Sequence, residues 1–191
     1  PKVLLIVFLL LFLLVAIAPR YRIVWLAESS LSVILVLLLV LTFTKFRFSN
    51  WSYTTMFLLL VLHTIGSYYS YTEMPLFELL KELFDLSRNH YDRVAHFFFG
   101  FAFFFPLQEF LSRWLKVKGM WSSFLAFLTI FSFAAIYELL EYFALLVAQS
   151  ENFGFSYLGM QGDIFDAQKD MALAFTGSLL AWFFALFKYR F

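Results

Sequence analysis

The chain contains no cysteine. Disulfides, thiolate metal ligands and cysteine nucleophiles are therefore excluded, while the compartment is left open. Charge is almost as scarce, with 14% Asp, Glu, Lys and Arg and a formal net charge of +1. Neither that balance nor any dense Lys/Arg tract offers the phosphate-backbone footprint of a nucleic-acid-binding protein. Histidine occurs only three times, which argues against an all-imidazole zinc site. No phosphate-binding loop pattern is present, so nucleotide binding has no support. No internal repeat is visible either, and the inverted-repeat signature of many secondary transporters is not supported.

What is present is apolar. Hydrophobic residues make up 63% of the chain, 29 of them Phe, and the mean hydropathy is +0.83. A soluble domain of this length has many polar surface positions to fill, so such a composition points to side chains facing lipid. A helix needs about 20 apolar residues to cross a hydrocarbon core. Six stretches approach this: 3–18, 29–44, 51–70, 92–112, 119–148 and 168–187. Helices are preferred over a barrel because the runs lack period-2 alternation and lipid leaves no backbone polar group to water. The first run resembles a signal peptide, but Ala18-Pro19-Arg20 lacks a small-residue cleavage site. It reads as the first span of a chain that begins close to its natural start. The expectation is an all-α, polytopic bundle of about six transmembrane helices, residues 1–191 forming a single membrane domain.

The connections divide by charge. Those at Lys45 and Arg47, at Arg113, Lys116 and Lys118, and at Lys188 and Arg190 are basic and fall on one side with Lys2. The positive-inside rule makes that side, with both termini, cytoplasmic. The other side holds Glu73, Glu78, Glu82, Asp85, Asp92, Glu151, Asp163, Asp166 and Asp170, with Arg20 and Arg22 as exceptions. There, after Pro75, polar residues at 78, 81, 82 and 85 recur at helical spacing among leucines and phenylalanines. That pattern predicts a short amphipathic helix in the interface, either covering the bundle or admitting a lipid.

Ionisable groups within apolar helices are costly enough to be functional candidates. His63, the run His90 to His96, Glu138 with Glu141, and the run Gln161 to Asp170 are such groups. Asp92 and His96 lie one turn apart; Asp163, Asp166 and Asp170 share a face if their helix begins near Asp163. The topology sets all of them at one membrane depth, with His63 able to join. Carboxylates converging in a low dielectric need a cation or protons, and Arg93 and Lys169 compensate only part of their charge. Oxygen and imidazole ligands suit Mg²⁺, Mn²⁺, Zn²⁺ or Fe²⁺. The expected ligands are Asp92, His96, Asp163, Asp166, Asp170 and His63. Arg93 would clamp an anionic substrate, and Glu138 and Glu141 would join it in catalysis.

Each group also has a structural alternative. Asp92 and His96 could pair across one turn. Asp163 could cap the last helix, with Asp166 favoured by its dipole, and Asn89 with Asp92 has capping-box spacing. Glu138 and Glu141 have no capping role so deep in a helix, but could join helices through Arg93. His90 reads as interfacial, and Glu109 with Arg113 as a local i, i+4 salt bridge. The glycines of Gly154 to Gly162 would allow tight turns over the site.

Four blocks carry a resemblance across nearly the whole chain: His63 to Tyr71, Arg88 to His96, Tyr137 to Glu141, and Leu158 to Met171. Together they resemble the YjdF-type family of bacterial inner-membrane proteins, which implies that location and no particular activity. A looser likeness to the VanZ-like membrane proteins rests on Asp92 and His96, then Glu138, then Asp166 and Asp170, in that order. The closing Asn-x-x-Gly of that pattern is replaced by Ala174 to Gly177. This likeness implies a link to the envelope or its lipids. The function expected is a metal-dependent hydrolase or transferase acting on a lipid or lipid-linked substrate at the outer leaflet. The alternatives are an ion- or proton-coupled transporter, or a scaffold or regulator whose polar cluster is structural.

Overall fold

The computed structural model describes residues 1–148 and 161–188. Glu151, Arg190 and the glycine-bearing stretch from Gly154 to Met160 lie outside them. The described residues are all-α, in seven helices: α1 (Lys2–Ala16), α2 (Arg22–Thr42), α3 (Asn50–Tyr68), α4 (Pro75–Leu83), α5 (Tyr91–Arg113), α6 (Met120–Ala148) and α7 (Asp166–Lys188). Four of these, α2, α5, α6 and α7, are long and apolar enough to cross a membrane. The protein is therefore a largely membrane-spanning helix bundle. The other two expected spans fall short of that measure. α1 has 15 residues, about 22 Å of helix, and α3 opens on polar Asn50, Ser52, Thr54 and Thr55.

Local chemistry sets the helix ends. α2 starts seven residues earlier than the sequence pattern alone indicates, at Arg22, because Ile23 to Ala27 continue its apolar run. The Arg22 guanidinium donates to the carbonyls of Ala16 and Ile17 at 2.9 and 3.0 Å, which satisfies the open C-terminal end of α1. Arg20 pairs with Glu73, which also accepts from the Tyr21 hydroxyl at 2.7 Å. Both arginines that depart from the charge pattern thus have local partners. At the opposite end Ser49 caps α3 through the Ser52 N–H. The expected pair of Glu109 with Arg113 forms, and Glu109 also accepts from the Ser49 N–H at 2.8 Å. α4 begins at Pro75, sets Glu78 beside Lys81, and leaves Leu76, Leu79 and Leu83 exposed.

Between helices in lipid the hydrophobic effect drops out, so association rests on close packing and polar contacts. The most extensive pairing is α5 on α7, and its seam is made of small residues. A Cβ at Gly100 would lie 1.9 Å from the Ala174 carbonyl oxygen, and one at Gly177 would lie 2.0 Å from that of Phe97. The two backbones therefore touch, and Ala174, Ser178, Ala181 and Ala185 continue the seam fully buried. Toward the basic end, Phe104, Phe105, Phe127 and Ile130 join Ala181 and Ala185 in a dry core between α5, α6 and α7. Toward the other end the buried residues turn polar.

Candidate metal centre

That close crossing brings the first turns of α5 and α7 face to face. Asp92, Arg93 and His96 stand on α5, and Asp166 and Asp170 on α7. One ligand atom each from Asp92, His96 and Asp170 lies within 4.8 Å of the others. His96 Nε2 is 3.6 Å from Asp92 Oδ1 and 3.6 Å from Glu138 Oε1 on α6. These gaps exceed hydrogen-bond length, so Asp92 and His96 do not form a simple hydrogen-bonded pair. They suit atoms held around a cation, since bonds of ~2.1 Å to one centre set ligand atoms roughly 3–4 Å apart. Asp170 is 2% exposed, and its Oδ1, like Glu138 Oε1, makes no hydrogen bond. Buried carboxylate oxygens are seldom left so, and their chemistry fits a divalent cation.

Beside this cluster the remaining acids are matched by arginines. Arg93 donates to Asp163 Oδ2 at 2.8 Å and Asp166 Oδ1 at 2.7 Å, and its Nε lies 3.3 Å from Asp170 Oδ1. Arg88, buried just ahead of α5, pairs with Asp166 and lies 3.9 Å from both Asp92 and Asp163. α7 starts at Asp166, so Asp163 sits in the preceding turn and does not extend the helical face; its Oδ1 accepts from the Phe165 N–H at 3.1 Å. The hydrogen bond from Lys169, at 2.6 Å, does most to hold the Asp163 carboxyl well below its usual range. Asp163 and Asp166 thus have the closest cations, whereas Asp92 and Asp170, with arginines at 3.9 and 3.3 Å, also offer ligand atoms within 4.8 Å of each other and of His96.

Asn89 fixes the start of α5. It is completely enclosed: its Oδ1 accepts from the Tyr91 N–H, its Nδ2 donates to the Met74 carbonyl and to Glu78, and its backbone exchanges two hydrogen bonds with the Gln161 amide. Asp92 takes no part in this cap and turns toward Arg88 and His96. Burial and the neighbouring Arg88 and Arg93 hold His90 below its ordinary pKa, which keeps it neutral outside the cluster.

His63 stands apart. Its Nε2 lies 3.0 Å from the Glu28 backbone carbonyl, which can only accept, so Nε2 carries the proton. Nδ1 then accepts from the Tyr71 hydroxyl. Both ring nitrogens are engaged, and His63 is not brought within the cluster. Glu28, on α2, is a buried carboxylate that the sequence reading left at the edge of a span. It is 2% exposed and accepts from the Tyr137 hydroxyl at 2.9 and 3.1 Å. Tyr137 also lies edge-on to His96, ring centres 5.8 Å apart. Glu141, one turn after Tyr137 on α6, is buried as well.

Asp92, His96, His63, Tyr71 and Tyr137 share the polar end of a cavity of about 460 Å³. Its back wall is α3 and α5, with Leu59, Leu62, Ala95, Phe99 and Phe103; its flanks are α2 and α6, with Leu35, Leu38, Phe133 and Ala134. A buried set of oxygen and imidazole ligands at the head of an apolar cavity can hold a cation against a substrate whose remainder is hydrocarbon.

No solved structure matches the chain. It is 33% identical over 165 residues to Inner membrane protein YjdF of Escherichia coli (strain K12), covering 85% of this chain and 78% of that protein. Residues 1–190 match the family described as Predicted membrane protein (DUF2238). With a match of that reach, and with the resembling blocks forming the start of α5, the Glu-bearing stretch of α6 and the start of α7, the chain belongs to this membrane-protein family as a YjdF-like member.

Proposed function

We propose that the protein is a metal-dependent hydrolase or transferase acting on a lipid or lipid-linked substrate at the outer-leaflet side of a bacterial inner membrane. Its chain is one membrane domain that crosses six times, α1 and α3 completing the count, with both termini cytoplasmic and α4 lying in the outer interface. The observation that carries this reading is the Asp92, His96 and Asp170 cluster at the polar head of an apolar cavity. Asp92, His96 and Asp170 would hold Mg²⁺, Mn²⁺ or Zn²⁺, which when bound polarises a phosphoryl or acyl oxygen and makes water more acidic. Glu138, with one oxygen free of hydrogen bonds beside His96, is placed to take a proton from an attacking water. Glu141 would hold Tyr137 toward the substrate. Arg93 supplies positive charge at the same depth, and with Arg88 it keeps Asp163 and Asp166 compensated while the centre is empty.

The structural alternative is favoured at Asp163 and Asp166, whose cations are their own neighbours. A transport path finds less support, since Phe104, Phe105, Phe127, Ile130, Ala181 and Ala185 close the space between α5, α6 and α7 toward the basic end.

Elemental mass spectrometry of detergent-purified protein tests the proposal. Wild type should retain near-stoichiometric metal, and Asp92→Ala, His96→Ala and Asp170→Ala should each lose it while remaining folded. Such a result would direct hydrolysis assays to phospholipids and lipid-linked phosphates. Background metal after supply of Mg²⁺, Mn²⁺ and Zn²⁺ would sink the metal-dependent reading.

A further inference from the structure

The cavity has a depth as well as a volume. Along α5 its lining runs from Asp92 to Phe103, eleven residues and therefore about 16 Å of helix. Asp92 is the second residue of a membrane-spanning helix. The cavity thus begins where the helix meets the membrane surface and ends about halfway through a hydrocarbon core of ~30 Å. A lipid already holds its chain in that register: head at the surface, methyl end at the mid-plane.

We infer that the cavity is a slot for a single acyl chain of a membrane lipid, with the lipid head at Asp92, His96 and Tyr137 and the chain end at Phe103. An extended peptide gains ~3.6 Å over three backbone bonds, or about 1.2 Å per bond, so the slot takes a chain of roughly a dozen carbons before Phe103 blocks it. Among the described residues its ionisable lining groups, Asp92, His96, His63, Tyr71 and Tyr137, are at the head, Ser32 of α2 lies one turn deeper than Glu28, and the rest of the lining is apolar. Entry is from the side. α2 leans on α3, and at the head it is tied to α6 by the hydrogen bonds from Tyr137 to Glu28. Beyond that tie, Leu38 of α2 and Phe133 of α6 are both slot-lining and about half exposed at the lipid-facing surface. A chain can therefore pass between the two helices without leaving the hydrocarbon layer. This assignment rests on the lipid-directed part of the proposed function and does not depend on the cation.

The test is photolabelling of the full chain, in lipid nanodiscs, with a monoacylglycerol whose chain of about twelve carbons ends in a diazirine. Its uncharged head makes binding independent of metal. Adducts mapped by peptide mass spectrometry should concentrate around Phe103. Leu35→Trp and Ala95→Phe, which put bulk into the slot, should reduce them at least about tenfold, comparable to losing one or two buried methylenes. Phe103→Ala should act in the opposite sense and move the best-labelled chain to a longer one. Adducts scattered over the outward leucines of α1 and α2, unchanged by these variants, would overturn the slot. Metal is measured in the same preparations. Labelling at Phe103 in a protein that binds no metal retains the slot and removes the metal-dependent chemistry, whereas metal without labelling at Phe103 does the reverse.

Discussion

Arg93 touches three carboxylates, and the consequences of removing it differ from those of removing any one acid. Arg93→Met leaves Asp163, Asp166 and Asp170 short of a partner in a site mostly closed to water, and should cost about 3–5 kcal/mol, read as a large fall in thermal stability in detergent. Glu138→Gln should do the opposite: its Oε1 has no hydrogen bond, so the variant should be at least as stable as wild type and keep its metal, while hydrolysis falls roughly 100-fold or more. Glu73 offers a third case, at the membrane surface. Partial burial pushes its pKa up, but hydrogen bonds from Tyr21 and Arg20 outweigh this and hold it below its ordinary value. A carboxylate lowered in the folded state stabilises above its unfolded pKa, and that contribution is lost as pH falls through the folded pKa. Glu73→Gln should therefore cost up to about 1 kcal/mol at neutral pH, and the difference from wild type should vanish in acid. Asp92 and His96 were legible because i, i+4 spacing fixes their common face, and an acid pair as deep as Glu138 and Glu141 has no capping role. Arg88 was not, since it lies before the helix, although four aspartates facing only Arg93 and Lys169 already left charge uncompensated. Glu28 was missed because the apolar run 29–44 begins just after it, and as a carboxylate it reads as the end of that run although Ile23 to Ala27 continue the helix.

At the scale of elements, helix existence was legible and helix ends were less so. Apolar runs announce α5, α6 and α7, but Asp163 could begin α7 or precede it, and only the turn at Phe165 decides. The amphipathic run after Pro75 forms α4, yet stops at Leu83 because Phe84 and Asp85 turn away, Asp85 with φ +50°. The α5 side of the seam was hidden, since Gly100 reads as one glycine among phenylalanines; on α7 the small residues Ala174, Ser178, Ala181 and Ala185 do recur at helical spacing. Gly177→Leu should separate these helices, lower the melting temperature strongly and abolish metal retention. Gly119→Ala is the matched comparison. Its φ is +60° but a Cβ would meet nothing within 4 Å, so only the left-handed backbone cost of about 1 kcal/mol applies.

The whole molecule is polarised along its helix axes: the buried charged groups Glu28, Arg88, Glu141, Asp166 and Asp170 gather toward one end, and the phenylalanine and alanine core of α5, α6 and α7 lies toward the other. The absence of cysteine makes the orientation directly measurable. A single Cys at Glu82 should react with a membrane-impermeant maleimide in intact spheroplasts, and one at Lys45 only after permeabilisation; the reverse pattern would invert the proposed topology. The close crossing of α5 and α7 then acquires a mechanical meaning. His96 stands four residues from Gly100, and Asp170 seven from Gly177, so the two helices work as the arms of a calliper pivoted where their backbones meet. With an arm of about 10 Å, a rotation of about 10° at the pivot moves the Asp170 tip by about 2 Å, the length of one metal–oxygen bond. The gap between the jaws is thus gauged by two hydrogen atoms, those that take the place of side chains at Gly100 and Gly177.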